Sequence, residues 1–149
     1  RTSVFRQCMF AEFEEKVCSL VEDEEPLTPD LLCDIYGDLN RKYYGPEVII
    51  DDLIRMEWAR IPHFYYDFYV YKYVTGYCCA RSIAGRILTG DESSREGYVS
   101  MLSSGGSLPP LEALKLSGVD LLRPDPINEA LSTFETTMKR MHESIMELR

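Results

Sequence analysis

The sequence predicts an all-α chain, and three observations carry that expectation. Apolar residues recur at steps of three and four along most of its length. Prolines and carboxylates stand where helices would open, and no segment alternates apolar and polar residues with the period of two that a half-buried strand shows. At 149 residues, 45% hydrophobic and 28% charged, the chain has a globular composition without internal repeats or low-complexity linkers. One compact helical unit over residues 1–149 is therefore expected.

The first helix is expected from Thr2 to about Glu24, because Phe5, Cys8, Met9, Phe13, Val17, Leu20 and Val21 lie on one face. The run Glu22-Asp23-Glu24-Glu25-Pro26 should stop it, since carboxylates at a helix C-terminus oppose the macrodipole. Thr28-Pro29-Asp30 then supplies an N-cap, a proline at the first helical position and an early carboxylate. This second helix carries Leu31, Leu32, Ile35, Tyr36 and Leu39 and ends before Gly45-Pro46. After a short stretch from Glu47 to Ile50 that could be extended, Asp51-Asp52 opens a third helix through Leu53, Ile54, Met56 and Trp58, which Pro62 interrupts.

Beyond Pro62 an aromatic stretch is expected to resume as helix and continue through Ile83, Ile87 and Leu88 to Gly90. Asp91 to Ser104 forms a further helical segment, followed by a flexible-then-stiff loop, Gly105-Gly106-Ser107 with Pro109-Pro110. Leu111 to Ser117 is a short helix with Gly118 as its left-handed cap. Asp125-Pro126 caps a last helix striped by Ile127, Ala130, Leu131, Phe134, Met138, Met141, Ile145 and Leu148.

Net charge excludes several function classes. With 16 basic and 25 acidic residues the chain carries −9, which disfavours both nucleic acid and anionic membranes as partners. No apolar run approaches the ~20 residues that span a bilayer. The chain opens on Arg1-Thr2-Ser3, without Met and straight into a charged helix, so a piece of a longer polypeptide lacking a signal peptide is expected. Five cysteines with no Cys-x-x-Cys spacing read as reduced, mostly buried thiols of a cytoplasmic protein.

Metal and nucleophile motifs are scarce. His63 and His142 are the two histidines, and neither has a partner at His-Glu-x-x-His spacing. No zinc site is complete, and no residue of this chain is assigned as a metal ligand. His142, between Met141 and Glu143, reads as a solvated helix residue. Neither a Gly-x-Ser-x-Gly elbow nor a phosphate-cradling glycine loop is present.

The informative stretch runs from Arg60 to Tyr77 and holds Tyr65, Tyr66, Tyr69, Tyr71, Tyr73 and Tyr77, six of the ten tyrosines. On a helix starting after Pro62, steps of ~100° per residue would place His63, Tyr66 and Tyr69 in one slanted row. Tyr71 would fall on another face with Phe64, Phe68 and Val74, as packing. Two readings stand: an aromatic core helix whose phenols find buried partners, or a row of donors able to hold a peptide carbonyl and stabilise an oxyanion. Local charge favours the second weakly. Five basic and two acidic residues lie between Leu53 and Arg86, against ten acids and Lys16 alone between Glu12 and Asp38.

These residues resemble the oligoendopeptidase F family. The match runs through Arg60-Ile61-Pro62-His63-Phe64-Tyr65-Tyr66, Phe68-Tyr69-Val70-Tyr71-Lys72-Tyr73 and Thr75-Gly76. It extends to Phe5-Arg6-Gln7-Cys8-Met9-Phe10-Ala11-Glu12-Phe13-Glu14, Leu39-Asn40-Arg41-Lys42-Tyr43-Tyr44-Gly45-Pro46, and Ser104-Gly105-Gly106-Ser107 with Ser117-Gly118-Val119-Asp120. The resemblance implies the compact multi-helix C-terminal lobe of a mostly helical zinc oligopeptidase catalytic domain, of the thimet-oligopeptidase type, acting on short peptides in the cytoplasm. In such enzymes zinc is held by a His-Glu-x-x-His helix and a downstream Glu, both N-terminal to the region matched here. Assigning Glu12, Glu14 or Glu57 as a replacement ligand has no support.

The resemblance also implies roles. His63, Tyr66 and Tyr69 correspond to the catalytic donors beside the zinc, with Tyr71 or Tyr73 as alternatives. Tyr73, Gly105 and Gly106 correspond to substrate-binding positions, although Gly105-Gly106 reads equally well as an inter-helix hinge. Zinc is then the cofactor of the longer parent, and the expected partners are short peptides and the N-terminal remainder bearing the zinc motif. The chain alone should be catalytically silent. Its helices should expose an apolar patch where that remainder packs, which self-association could cover. The competing class is a non-enzymatic helical interaction module built on the same fold.

Overall fold

The computed structural model describes residues 2–148, and among them there is no strand. The chain divides into two compact units, the first ending at Val74 and the second beginning at Thr75.

In the first unit a π-helical turn, Thr2–Arg6, leads into α1, Gln7–Glu22, and α2 follows as Pro29–Tyr44. The Thr28 side chain accepts the Leu31 N–H at 3.2 Å and Pro29 takes the first helical position, as the sequence requires. Met9, Phe10 and Phe13 of α1 meet Tyr36 and Leu39 of α2 in a core completed by Ile61 and Val70. Phe13 packs edge-on against Tyr36 with centroids 5.3 Å apart. Burying each large apolar side chain of this kind contributes about 1.5–3 kcal/mol.

Residues 51–70 depart from expectation. Two 3₁₀ segments, Asp52–Arg60 and Pro62–Tyr65, replace continuous α-helix, and no α-helix begins at Pro62. A residue before proline is pushed out of the α region, and Ile61 accordingly sits extended at φ −85°, ψ 103°. The 3₁₀ repeat of three eclipses residues three apart, which sets Glu57 beneath Arg60 as an ion pair.

Helix α3, Tyr71–Leu88, contains the division between the units. The second unit continues with α4, Glu92–Ser103, α5, Pro110–Leu116, and α6, Asp125–Glu147. Its core gathers Cys79, Ile83 and Val119, flanked by Ile87, Tyr98, Met101, Leu114 and Leu121. Asp91 caps α4, with bonds from Ser93 and Ser94 side chains and the Ser94 N–H holding its carboxyl down at about 2. A Cβ on Gly97 would stand 2.3 Å from the Leu116 carbonyl oxygen, so only glycine lets α4 approach the end of α5. Gly118, at φ +76°, is the left-handed cap that the sequence predicts.

On α6 the structure corrects one detail. Asp125 is the first helical residue rather than its cap, and Pro124 precedes it with no side-chain capping bond. The stripe Ile127, Leu131, Phe134, Met138, Met141 and Ile145 lies between 36% and 49% exposed, so this face is only partly covered. The cysteines are also corrected. None of the five is in a disulfide, but only Cys78 and Cys79 are buried, because α1 turns Met9, Phe10 and Phe13 inward and leaves Cys8 exposed.

Candidate functional site

The segment from Ile61 to Tyr73 is built of alternating anchors and free rings. Ile61 and Val70 are buried in the first unit's core, and Phe64 wedges between Phe10 and Phe13 with centroids at 5.4 and 5.1 Å. Fixing those apolar residues inward leaves His63, Tyr66 and Tyr69 on the other side of the backbone. The result is a ring cluster: His63 stands 6.3 Å from Tyr66 and 5.7 Å from Tyr69, centroid to centroid. Tyr66 and Tyr69 are 6.0 Å apart. Tyr73 closes the group, 6.1 Å from His63 and 5.6 Å from Tyr69.

His63, Tyr66 and Tyr69 thus come together as the sequence predicts, but by a different route. They are not a row on one helix. The chain turns between Tyr66 and Val70, and Tyr73 joins from the first turn of α3. That turn holds Asp67 and Phe68, both at φ +50°, where an L residue costs roughly 1–2 kcal/mol. Its partner is Glu14 of α1, whose Oε1 accepts the Phe68 N–H at 2.5 Å. Tyr71, expected to pack with Phe64, Phe68 and Val74, is instead half-exposed.

The cluster is open to solvent. Tyr66 is 61% exposed and Tyr73 is also exposed, while His63 and Tyr69 are half-buried. A hydrogen bond with Tyr69 raises the Tyr73 phenol, so Tyr73 keeps its proton at neutral pH and can act as a donor. Lys72 adds a residue that sequence reasoning missed: its Nζ lies 4.0 Å from the Tyr69 ring centroid, a cation–π contact beside the donors. An imidazole, three phenols and an ammonium group on one exposed surface suit a polar, carbonyl-bearing ligand.

Gly105 and Gly106 lie in the second unit. Gly105 sits at φ +52°, and its N–H bonds the Leu102 carbonyl at 3.2 Å. The Ser107 N–H and hydroxyl both bond the Ser104 carbonyl, which closes a tight turn after α4. A Cβ on either glycine would meet nothing within 4 Å, so the turn is held by its backbone conformation and not by close packing.

Among the described residues, no three His, Cys, Asp or Glu side chains converge as a metal site. The zinc that the resemblance implies therefore finds no matching ligand set among the described residues. Glu57, buried, is fully engaged in an ion pair with Arg6 at 2.6 Å, a hydrogen bond from Tyr36 at 2.7 Å and the contact with Arg60. Glu12 is likewise held by Lys42 and Tyr43. No described helix is long and apolar enough to cross a membrane.

The fold and the ring cluster define an all-helical protein with hydrogen-bonding aromatic side chains gathered around His63. Comparison with known proteins goes one step further: residues 2–133 match the profile of peptidase family M3, and the chain belongs to that family. It is similar to "Oligopeptidase PepF" of Bacillus subtilis (strain 168), 44% identical over 149 residues, covering 100% of this chain and 22% of that protein. It is also similar to the chromosomal oligoendopeptidase F of Lactococcus lactis subsp. cremoris, 41% identical, covering 96% of this chain and 23% of that protein. The crystal structure of oligoendopeptidase-F from Enterococcus faecium superposes with a TM-score of 0.95 at 43% identity, over 98% of this chain and 28% of that one. The chain spans about a quarter of the length of these relatives.

Proposed function

We propose that this chain is the C-terminal, substrate-gripping portion of an oligopeptidase, and that His63, Tyr66 and Tyr69 donate hydrogen bonds to the peptide carbonyl and its tetrahedral oxyanion. Tyr73 supports the same group from α3, and Gly105 and Gly106 are the substrate-binding positions proposed in the second unit. The observation that carries this reading is the exposed ring cluster, centroids 5.6–6.3 Å apart, in a chain of a peptidase family. Preorganised donors of this kind act where charge develops in the transition state, and they need no reorganisation at the moment of reaction. Zinc is implied by the family, and other parts of a longer polypeptide would have to hold it. By this reading residues 1–149 alone are inert, in the cytoplasm as elsewhere, and their natural partner is the remainder of the catalytic domain.

The test is hydrolysis of a quenched fluorescent oligopeptide by the longest native polypeptide carrying this chain. His63→Ala is expected to lower kcat by about 10²-fold, the usual consequence of removing one oxyanion donor. Unchanged turnover in that variant would leave the alternative, a helical interaction module whose rings serve another ligand. That second reading is favoured specifically by the half-open apolar face of α6.

A further inference from the structure

Glu14 is a buried carboxyl, 6% exposed, on α1 among Met9, Phe10 and Phe13. Oε1 accepts the Phe68 N–H, and Oε2 is buried with no hydrogen-bond partner among the described residues. A core carboxyl half-satisfied in this way is costly unless it maintains something else. What it touches is the turn whose two central residues, Asp67 and Phe68, are both non-glycine and both left-handed. Such pairs persist only where their surroundings hold them. They are also the whole link between Tyr66 and Tyr69. Relaxed to an ordinary conformation, that link would re-aim the backbone from Tyr66 onward and pull its rings away from His63.

We propose that Glu14 is the positioning residue of the ring cluster, its buried carboxyl pinning the Asp67–Phe68 backbone so that Tyr66 and Tyr69 meet His63. The catalytic consequence rests on the peptide-hydrolase reading above; the positioning itself does not. The side chain is suited to the task. From the α1 surface it reaches the Phe68 amide with one acceptor, which Asp would be too short to bring there. Burial raises the Glu14 carboxyl from its ordinary value and the nearby Asp67 charge adds to this, against the lowering effect of the Phe68 N–H.

The experiment uses the longest native polypeptide carrying this chain, with Glu14→Ala, Glu14→Gln and His63→Ala compared. Readouts are kcat and KM on a quenched fluorescent oligopeptide, and amide hydrogen exchange across residues 63–73. Glu14→Ala is expected to lower kcat by about tenfold or more with KM little changed, since small misplacement of catalytic groups costs rate steeply. Exchange should quicken at 66–69 while α2 keeps its protection. Glu14→Gln, whose amide oxygen accepts the same N–H, should restore both. Native kcat and native exchange in Glu14→Ala overturn the inference, as does a Glu14→Gln variant as impaired as Glu14→Ala. If Glu14→Ala does not fold, Glu14→Asp decides: it withdraws the acceptor by one methylene, and native exchange at 66–69 in that variant overturns the proposal. If His63→Ala turns over normally, the peptide-hydrolase reading falls while the exchange data still settle the positioning.

Discussion

Tyr36 donates its phenolic hydrogen to Glu57 at 2.7 Å in the interior of the first unit, tying α2 to the 3₁₀ segment that leads into the ring cluster. Arg6 meets the other oxygen of the same carboxylate at 2.6 Å and lies over the Phe10 ring, so one buried group joins three stretches of chain. Removing one partner of such an arrangement leaves the others buried and unpaired, at about 3–5 kcal/mol. Glu57→Ala is expected to lose that much in chemical denaturation. Tyr36→Phe, which deletes one hydrogen bond and keeps the ring, should lose only about 1–2 kcal/mol. Equal losses in the two variants would contradict the network.

Acid should act on the same group. Burial alone would raise the Glu57 carboxyl, but bonds from Arg6 and Tyr36 and the charges of Arg6 and Arg60 overcome it and hold the carboxyl below its ordinary value. A depressed carboxylate contributes stability above its unfolded value, and that contribution is lost as pH falls through the folded one. The parent should therefore lose more stability than Glu57→Gln when pH is taken from about 6 to about 3. Parallel unfolding midpoints across that range would refute the assignment.

Much of this was legible in the sequence because local chemistry and tertiary packing agree. The Thr28-Pro29 start of α2, the Gly118 cap and the apolar face of α1 are each fixed by a few adjacent residues, and the all-helical class follows from them. The turn at Asp67-Phe68 was not legible. Asp67 alone tolerates a left-handed backbone, but Phe68 does not favour one, and a contact with Glu14, 54 positions away, holds the pair there. A signal did exist in Glu14 itself, a carboxylate four residues after Phe10 and next to Phe13, inside the buried arc of α1. The ring cluster was foreseen in membership but not in construction, since the 3₁₀ turn after Pro62 replaces the expected helix.

Among the tyrosines, Tyr66 and Tyr69 have their rings within 6.3 Å of His63, while Tyr71 is exposed outside that group. Tyr66→Phe and Tyr69→Phe, in the longest native polypeptide, are expected to lower kcat by about 10-fold or more through loss of a donor. Tyr71→Phe should be silent, because Tyr71 is exposed and makes no ring contact with His63 in the cluster. Steady-state kinetics on one oligopeptide ranks the three, and a Tyr71→Phe loss exceeding that of Tyr69→Phe would move the site to another face.

In the second unit, two glycines make opposite predictions. Gly97→Ala would drive a methyl into the Leu116 carbonyl, 2.3 Å away, and is expected to destabilise by about 1–3 kcal/mol as overpacking does. Gly106→Ala meets open space and should leave the melting temperature unchanged. Should Gly106→Ala nonetheless slow peptide hydrolysis by the longest native polypeptide without moving stability, the turn after α4 would be marked as substrate-facing rather than a plain hinge.

Glu14 should respond to pH in the direction opposite to Glu57. Its carboxyl is raised by burial and by Asp67, with Cys18 one turn further along α1 as the other titratable neighbour. A raised group contributes stability fully below its unfolded value and loses it as pH rises through the folded one, because ionisation then places an unpaired charge in the core. Glu14→Gln cannot ionise, so its stability relative to the parent should increase as pH rises from about 4 to about 8. Urea midpoints for the two proteins at several pH values give that difference directly, and the Glu57 contribution cancels because both proteins carry it. A difference that stays flat with pH would mean that Glu14 ionises as freely in the folded chain as in the unfolded one, and the raised carboxyl would have to be abandoned.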